Sequence, residues 1–251
     1  LTRNEMVAES LAAAGAEWSA EGAGYAPEGA VRARAGTDDP ELLAAIARAA
    51  GLCNDAVLRP GEGGWQVEGD PMEGALMALA ARITGAGAEP FAGWQRLDAI
   101  PFDAAHRYMA VLHRAPEGGT ALHVKGAPEA VLAMCATERR AGGGTAPLDP
   151  RPWHEAVERL AARGQRVLAL AEGPGEALGA LHGRLTFLGL VGLIDPPRAE
   201  AIAAVADCHA AGIRVKMITG DHAATARAIA GQIGLKNTGR VLTGADIDDM
   251  E

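Results

Sequence analysis

The stretch ALHVKGAPE, residues 121–129, decides how the rest of the chain is arranged. Its alternating apolar side chains predict a strand over 121–124, Gly126-Ala127 predict a tight turn, and Pro128 predicts the first position of a helix. Ala127 is a poor N-cap, so the first N–H groups of that helix lack a side-chain acceptor. Together with the Lys125 ammonium they would suit an anion such as phosphate. The same pattern also fits an exposed lysine at a strand end before an ordinary helix.

The rarity of lysine is a second reason to single out Lys125. The chain has 23 basic residues, and only Lys125, Lys216 and Lys236 are lysines. An ammonium is a compact donor that approaches a phosphate or a base edge where a planar guanidinium would not fit. A chain that otherwise uses arginine is therefore expected to have a specific use for the ammonium at this turn.

Length, charge and cysteine spacing limit the class of protein. The 251 residues suffice for one large or two ordinary domains, and we expect two. No apolar run approaches the roughly 20 residues that cross a bilayer, so we expect no direct membrane insertion of this chain. The net charge of −9 argues against a nucleic-acid partner, which would require a basic stripe. Cys53, Cys135 and Cys208 lack zinc-ligand spacing, which favours reduced thiols and predicts no metal site within the chain.

The sequence around the central stretch predicts short strands and capped helices. Strands are expected over 65–69, 96–103, 108–112 and 166–171, and short strands separated by turns indicate an antiparallel sheet. One helix is expected to begin at Asp39-Pro40 and to end at Gly51, and a second to begin at Asp70-Pro71. A third helix is expected over 152–162. This part of the chain is therefore predicted to be α+β, an antiparallel sheet flanked by helices.

The pattern changes after residue 185. A near-continuous apolar strand over 185–194, a helix ending near Gly212, a strand over 213–218 and a helix over 223–233 predict an α/β unit with a parallel sheet. Polar residues at the carboxyl ends of such strands line the usual ligand crevice, which makes Thr219 and Asp221 candidate site residues. Asp195 and Asp221 also fit helix N-caps.

Nine stretches match one family in their order and spacing: Leu1-Thr2 with Asn4 and Met6, 22–29, 52–56, 69–76, 101–103, 125–129, 166–171, 195–198 and 217–222. With these residues the chain resembles the cytoplasmic catalytic region of cation-transporting P-type ATPases over essentially its whole length. The stretches 22–29 and 125–129 look most like those of calcium-type or related pumps of the P2 subgroup.

The resemblance implies a division into two domains. A nucleotide-binding domain over 6–192 would be inserted in a partial phosphorylation domain of the haloacid-dehalogenase type, formed by 1–5 and 193–251, with 195–198 at the hinge. Leu1-Thr2 look like the end of the family's DKTGTLT segment, so the aspartate that ATP phosphorylates is expected just upstream of Leu1. The GDGxND motif that supplies Mg²⁺ ligands is expected downstream. The chain alone is therefore expected to be inactive in ATP hydrolysis.

The resemblance also implies roles for individual residues at the adenosine end of the site. Phe102 would stack on adenine, and Glu73 would form a hydrogen bond near the base. Lys125 and Gly126 would line the nucleotide pocket. Glu73 has an alternative explanation, because a carboxylate in the first turn of a helix is favoured by the helix dipole.

At the phosphate end the resemblance implies a second group of residues. Arg166 would contact the phosphates, Arg107 would lie near them, and Asp195 would belong to the nucleotide site at the hinge. Thr219 would hold the transferring phosphoryl group, and Asp221 would help to position phosphate and Mg²⁺. Phosphoryl transfer depends on positioning and charge neutralisation, which is consistent with this division of roles.

The protein implied by the resemblance is an ATP-driven cation pump that uses ATP and Mg²⁺. Its partners would be the transmembrane and actuator domains of the same pump. The chain would lie on the cytoplasmic side of a membrane. Frequent arginine, alanine and glycine indicate a GC-rich bacterium. The membrane is therefore expected to be the bacterial inner membrane.

Three departures from the family pattern concern the nucleotide site. Met72 replaces a threonine before Glu73, Ala104 and Ala105 replace polar residues after Phe102-Asp103, and Tyr108 occupies a position that is often basic. Each change removes a polar contact, so weak ATP binding is expected.

Two other functions remain open from the sequence. A dehalogenase-type phosphatase or phosphotransferase would need a nucleophilic aspartate, and Asp246-Ile247-Asp248 has the DxD spacing but no preceding apolar strand. A non-enzymatic interaction module with a decayed nucleotide pocket would explain the three departures.

Overall fold

The computed structural model describes residues 1–3, 5–36, 38–175, 178–179, 181–219, 223–239, 241–242 and 246. The strands within these residues are β1 (Val7–Ala13), β2 (Ala16–Glu21), β3 (Ala30–Ala35), β4 (Val57–Gly61), β5 (Gly64–Glu68), β6 (Gln95–Ile100), β7 (Tyr108–Arg114), β8 (Thr120–Gly126), β9 (Cys135–Arg139), β10 (Thr145–Pro147), β11 (Arg166–Pro174) and β12 (Leu185–Ile194). The helices are α1 (Pro40–Leu52), α2 (Pro71–Thr84), α3 (Pro128–Met134), α4 (Pro150–Ala162), α5 (Ala199–Ala210) and α6 (Ala223–Gln232).

The main sheet has the strand order β3-β2-β1-β12-β11-β8-β7-β6, and all neighbours in this row are antiparallel. The β9–β10 hairpin joins it through a short parallel pairing of β9 with the start of β12. Helices α1 and α2 cover one face, where Trp18, Leu76 and Leu170 belong to one core. Helices α3 and α4 cover the other face around Val131, Trp153 and Phe187. The predicted antiparallel sheet flanked by helices is confirmed.

The helix starts follow the predicted capping residues. The Asp39 carboxylate accepts the N–H of Leu42 at 3.0 Å, and the Asp70 carboxylate accepts the N–H groups of Met72 and Glu73. Pro128 begins α3 with no side-chain cap from Ala127, as predicted. Within the described part of the chain, no helix is long and apolar enough to span a membrane.

The strand expected over 213–218 is not formed. Residues 213–219 follow α5 without helix or strand structure, so the expected parallel pairing of this segment with β12 is wrong. The sheet explains why: β11 occupies one edge of β12 over its length, while β1 and β9 occupy the other. Since both edges of β12 are used, the apolar 213–218 segment has no strand edge there to pair with.

Two predicted features of the C-terminal part have different outcomes. Asp195 is not a helix cap, because α5 begins at Ala199 with Arg198 in the cap position. Asp221 and Asp248 lie outside the described residues, so the roles suggested for them stay predictions.

Candidate functional site

Six of the predicted site residues lie in or next to strands that begin or end at one end of the main sheet. In this antiparallel row β6 and β8 end where β7 and β11 begin, and the register places Gly126 beside Tyr108 on one side and Ala169 on the other. β12 also ends there, because Leu193 pairs with Arg166. Adjacent strands are about 4.8 Å apart, so the four steps from β6 to β12 cover roughly 19 Å. The residues expected at this end are therefore Phe102, Arg107, Lys125, Gly126, Arg166 and Asp195.

Lys125 and Glu73 form a buried ion pair under this end of the sheet. The Lys125 Nζ contacts the Glu73 Oε1, with side-chain exposures of 7% and 14%. Lys125 lies in β8 between Met109 of β7 and Leu170 of β11, and Glu73 lies in the first turn of α2. The interpretation of Lys125 as an exposed strand-end lysine is therefore wrong. Both charges are largely withdrawn from water, so each depends on the other for compensation.

A buried thiol lies against the same strands. Cys53, at the end of α1, donates its S–H to the Met109 carbonyl at 3.4 Å. Burial raises the pKa of the Cys53 thiol to about 12. The group therefore stays protonated near neutral pH and packs as a small apolar side chain, not as a nucleophile.

The loop between β6 and β7 exposes an aromatic ring. Phe102 is 61% exposed. Behind it, the Asp103 carboxylate accepts the Ala105 N–H and the Asp103 carbonyl accepts the Arg107 N–H, both at 2.7 Å. These bonds close a compact turn, which presents the Phe102 ring to solvent at the sheet end.

Arg107 and Gly126 are fitted against each other. Arg107 has a positive φ of 60°, which is uncommon for a residue other than glycine. Its carbonyl accepts the Ala127 N–H at 2.9 Å. A Cβ on Gly126 would lie 2.5 Å from that carbonyl oxygen. Glycine is thus needed at position 126 for the close approach of two backbones.

The Arg107 side chain is already paired in this structure. Its Nη1 lies 2.5 Å from the Glu129 Oε1, and the two side chains are 54% and 55% exposed. Glu129 belongs to the first turn of α3. An incoming anion at this place would therefore compete with the Glu129 carboxylate for Arg107.

Arg166 and Asp195 line a separate small cleft of about 60 Å³, together with Thr2 and residues of β12 and α6. The Asp195 carboxylate accepts the Glu5 N–H at 3.3 Å. The first residues of the chain also pair with the segment after β12, since the Arg3 N–H donates to the Pro196 carbonyl at 3.0 Å. Phe102, Arg107 and Lys125 are not among the residues that line this cleft.

The remaining predicted site residues are Thr219 and Asp221. Thr219 is exposed in the irregular segment that follows α5, and Asp221 lies outside the described residues. Among the residues described, no group of three or more His, Cys, Asp or Glu side chains could hold a metal ion.

Comparison with known proteins places this sheet in a family. The family described as "P-type ATPase, cytoplasmic domain N" matches residues 42–200. The chain belongs to this family. The matched range contains Glu73, Phe102, Arg107, Lys125 and Arg166, so it includes the buried ion pair and the exposed ring.

Individual relatives are full-length proteins much longer than this chain. "Cation-transporting ATPase pma1" of Synechocystis sp. is 40% identical over 95% of the chain, which covers 28% of that protein. "Probable cation-transporting ATPase F" of Mycobacterium tuberculosis is 42% identical over 98% of the chain, which covers 29% of it. "Calcium-transporting ATPase type 2C member 1" of Mus musculus is 37% identical over 100% of the chain, which covers 27% of it. The chain thus spans less than a third of these relatives.

A buried arginine holds the 22–29 stretch of this P-type ATPase domain in place. Arg82, in the last turn of α2, donates to the carbonyls of Ala26 and Gly24 at 3.0 and 2.7 Å and so holds the loop between β2 and β3. Tyr25 of the same loop accepts the Met6 N–H on its hydroxyl at 3.1 Å. Burial lowers the pKa of Arg82 and raises that of Tyr25. The 22–29 stretch therefore ties α2 to the start of β1.

The sequence assigned no role to the residues around Glu73 that the structure shows in contact with it. Asn54 and Asp55 follow α1 and hydrogen-bond to Glu73, and the Asp55 carboxylate is ion-paired with Arg96 of β6. Their only signal in the sequence is the 52–56 stretch of the family resemblance. No periodicity marks them, because they lie in a connection whose contacts are set by the packing of α1 on α2.

The departures from the family pattern lie where the sequence expectation placed them. Ala104 and Ala105 are exposed beside Phe102, where they offer no polar group. Tyr108 is half-buried and its ring lies 4.4 Å from that of His106. Ala104, Ala105 and Tyr108 therefore bring no charged side chain to this end of the sheet.

Proposed function

We propose that this chain is the ATP-binding part of an ATP-driven cation pump, and that it presents the γ-phosphate of ATP to an aspartate upstream of Leu1. The observation that carries the proposal is the pairing of a buried lysine–glutamate ion pair with an exposed phenylalanine at one end of the sheet. Membership in the N-domain family supports it, as do relatives named as cation-transporting and calcium-transporting ATPases.

In the proposed complex, adenine stacks on the Phe102 ring, because an aromatic ring binds a flat base face without needing polar partners. Lys125 and Gly126 line the pocket beside it, and Glu73 lies next to the base and keeps the ammonium in place. Arg107 and Arg166 neutralise phosphate charge along the sheet end. Phosphoryl transfer needs such positioning and charge neutralisation more than covalent help from the protein.

The proposal includes the expected domain division. Residues 6–192 form the nucleotide-binding domain, and 1–5 with 193–251 belong to a phosphorylation domain of the haloacid-dehalogenase type, where Thr219 and Asp221 support the transferring phosphoryl group and Mg²⁺. The contacts between residues 1–5 and 195–198 support this pairing of distant segments. Closure of one domain on the other would bring ATP to the aspartate.

The remainder of the pump, its transmembrane and actuator domains, is the proposed partner, at the cytoplasmic face of a bacterial inner membrane. The isolated chain is proposed to bind ATP without hydrolysing it.

The test is calorimetric titration of the 251-residue chain with ATP and ADP, and with Phe102→Ala and Lys125→Ala variants. Both substitutions should weaken binding at least several-fold. Ile202→Ala serves as a control, since Ile202 is also an exposed apolar residue but lies in α5. Binding unchanged by Phe102→Ala and Lys125→Ala would contradict the proposed site.

A further inference from the structure

The connection between α1 and β4 contains the residues Asn54 and Asp55, to which the proposed function assigns no role. It lies beside the first turn of α2, which contains Glu73, the ion-pair partner of Lys125. The Asn54 side chain makes three hydrogen bonds in this connection. Its Nδ2 donates to the carbonyls of Ala50 at 3.1 Å and Glu73 at 2.9 Å, and its Oδ1 accepts the Ala56 N–H at 2.8 Å.

These bonds join three pieces of backbone at one side chain. Ala50 belongs to the last turn of α1, Glu73 to the first turn of α2, and Ala56 leads into β4. Both Nδ2 hydrogens are used, and the amide oxygen is used as well, so the orientation of the Asn54 amide is fully determined. No residue other than asparagine supplies two donors and an acceptor on so short a side chain.

The connection fixed by Asn54 in turn holds the Glu73 carboxylate. The Asp55 N–H donates to the Glu73 Oε2 at 3.2 Å, while the other oxygen, Oε1, receives the Lys125 ammonium. The Glu73 N–H is bound by Asp70 and its carbonyl by Asn54. Glu73 is thus held at its backbone and at both carboxylate oxygens, and the ammonium position follows from it.

We propose that Asn54 is a positioning residue for nucleotide binding: it orients Glu73, and through Glu73 it places the Lys125 ammonium at the sheet end. This inference rests on the proposed function, because the ammonium matters for nucleotide only if nucleotide binds there. Asn54 touches no ligand in this role. Its effect is carried through the Glu73 carboxylate, because a binding group must be held within about 0.5 Å of its productive position.

The first test compares ATP affinity in Asn54→Ala with that in Asp149→Ala. Asp149 is the matched control because, like Asn54, it is a loop residue whose side chain hydrogen-bonds to the backbone at a helix end. Its loss weakens α4, which does not carry Lys125. Asn54→Ala should raise the Kd for ATP about tenfold, and Asp149→Ala should leave it unchanged although both lower the melting temperature. An unchanged Kd in Asn54→Ala, with a lower melting temperature, would overturn the inference and leave Asn54 a structural residue.

A double-mutant cycle tests whether Asn54 acts through Lys125. In a Lys125→Met background, Asn54→Ala should change the Kd for ATP less than twofold, because the group it positions is gone. If the two effects multiply instead, Asn54 does not act through the ammonium. Asn54→Asp keeps the shape and the Ala56 contact but removes both donors, so it should weaken binding as Asn54→Ala does, and it serves where the alanine variant fails to fold.

A measurement on the nucleotide-free chain separates this inference from the proposed function. Of the three lysines, Lys216 and Lys236 are exposed, so a side-chain ammonium NMR peak with slow solvent exchange is expected from Lys125 alone. The peak should be present in wild type and Asp149→Ala and lost in Asn54→Ala. Its absence from wild type, or its persistence in Asn54→Ala, would overturn the positioning role. A wild-type chain that shows the peak but binds no nucleotide would contradict the proposed function instead.

Discussion

Lys125 and Glu73 are 52 positions apart in the chain and meet as a buried ion pair at the end of the sheet. Lys125 is held by two neighbouring strands, and Glu73 by the capped start of α2. The pair therefore joins the start of α2 to β8 of the sheet. It also fixes the position of the ammonium that the proposed function assigns to nucleotide binding. Its contribution to stability and its proposed role in nucleotide binding are separable by substitution.

Removing one member of the pair should destabilise the fold strongly. Lys125→Met leaves the largely buried Glu73 carboxylate without its counter-ion, and such a loss typically costs about 3–5 kcal/mol. The double variant Lys125→Met/Glu73→Gln has no buried charge and should recover most of that free energy of unfolding. Urea denaturation at neutral pH measures both. A double variant no more stable than Lys125→Met would show that the charge itself is not the cause.

Freeing Arg107 should strengthen nucleotide binding. Glu129→Gln removes the carboxylate that pairs with the Arg107 guanidinium, and an exposed pair of this kind is worth about 0–1 kcal/mol, so the Kd for ATP should fall up to about fivefold. The gain should shrink with added salt. Glu155→Gln, an exposed position on α4, makes the same charge change away from Arg107. Equal effects of the two variants would mean that Arg107 does not compete between Glu129 and phosphate.

Gly126→Ala should destabilise the sheet end. The added Cβ would lie 2.5 Å from the Arg107 carbonyl oxygen and 2.7 Å from the Tyr108 Cα, and both are backbone atoms that cannot swing aside. Overpacking of this kind costs about 1–3 kcal/mol. Gly231→Ala is the matched control, because position 231 lies in α6 with open space around its Cβ and alanine favours a helix. The two melting temperatures should move in opposite directions. A Gly126→Ala variant as stable as wild type would contradict the close fit.

Two buried histidines should make stability fall in mild acid. The rings of His113 and His123 lie next to that of Trp94, and the two histidine centroids are 5.8 Å apart. Burial lowers the pKa of both; His113 and then Arg48 lower that of His123 further, and Arg96 lowers that of His113 further. Burial is the main cause, and it lowers the pKa of His123 to about 3. Because the folded pKa lies below the unfolded value of about 6.5, His123 contributes its stability above pH 6.5 and loses it as the pH falls toward 3.

At pH 5 the loss from His123 alone should be about 2 kcal/mol relative to pH 7. The urea midpoint of wild type should therefore fall between these pH values, and His123→Gln should reduce that fall. His154→Gln, at an exposed position on α4, should not. An identical pH dependence in wild type and His123→Gln would contradict the buried neutral state of this ring.

The sequence was sufficient for those parts of the fold that depend on local chemistry. Asp70 and Pro128 start helices where their capping and φ preferences predict, and the strand ending at Gly126 follows from its alternation. Ala-rich β1 and β2 carried no strand signal, because alanine favours helices and these strands form only by pairing with each other and with β12. The strand predicted over 213–218 is the opposite case. The segment has a strand pattern in its sequence but forms no strand, because neither edge of β12 is free to pair with it.

The candidate site was predictable as a set of residues but not as an arrangement. Lys125 was singled out by the strand–turn–helix pattern of 121–129 and by the rarity of lysine, and Phe102 by motif resemblance. Nothing in the spacing of Glu73 and Lys125 indicates that they touch. Asn54 is harder still, because its importance lies in which backbone groups α1 and α2 bring within its reach. Contacts between distant segments are decided by the packing of whole elements, which no local pattern reports.

The most direct test of nucleotide binding at this end of the sheet is an NMR titration of the 251-residue chain with ATP, following backbone amide shifts. The largest saturable shifts are predicted at Phe102, Arg107, Lys125 and Gly126, with Kd in the high-micromolar to millimolar range and loss of the shifts in Phe102→Ala. A low-micromolar Kd would contradict only the predicted weakness. Shifts that cluster elsewhere, or none at several times the highest expected Kd, would contradict the nucleotide site itself.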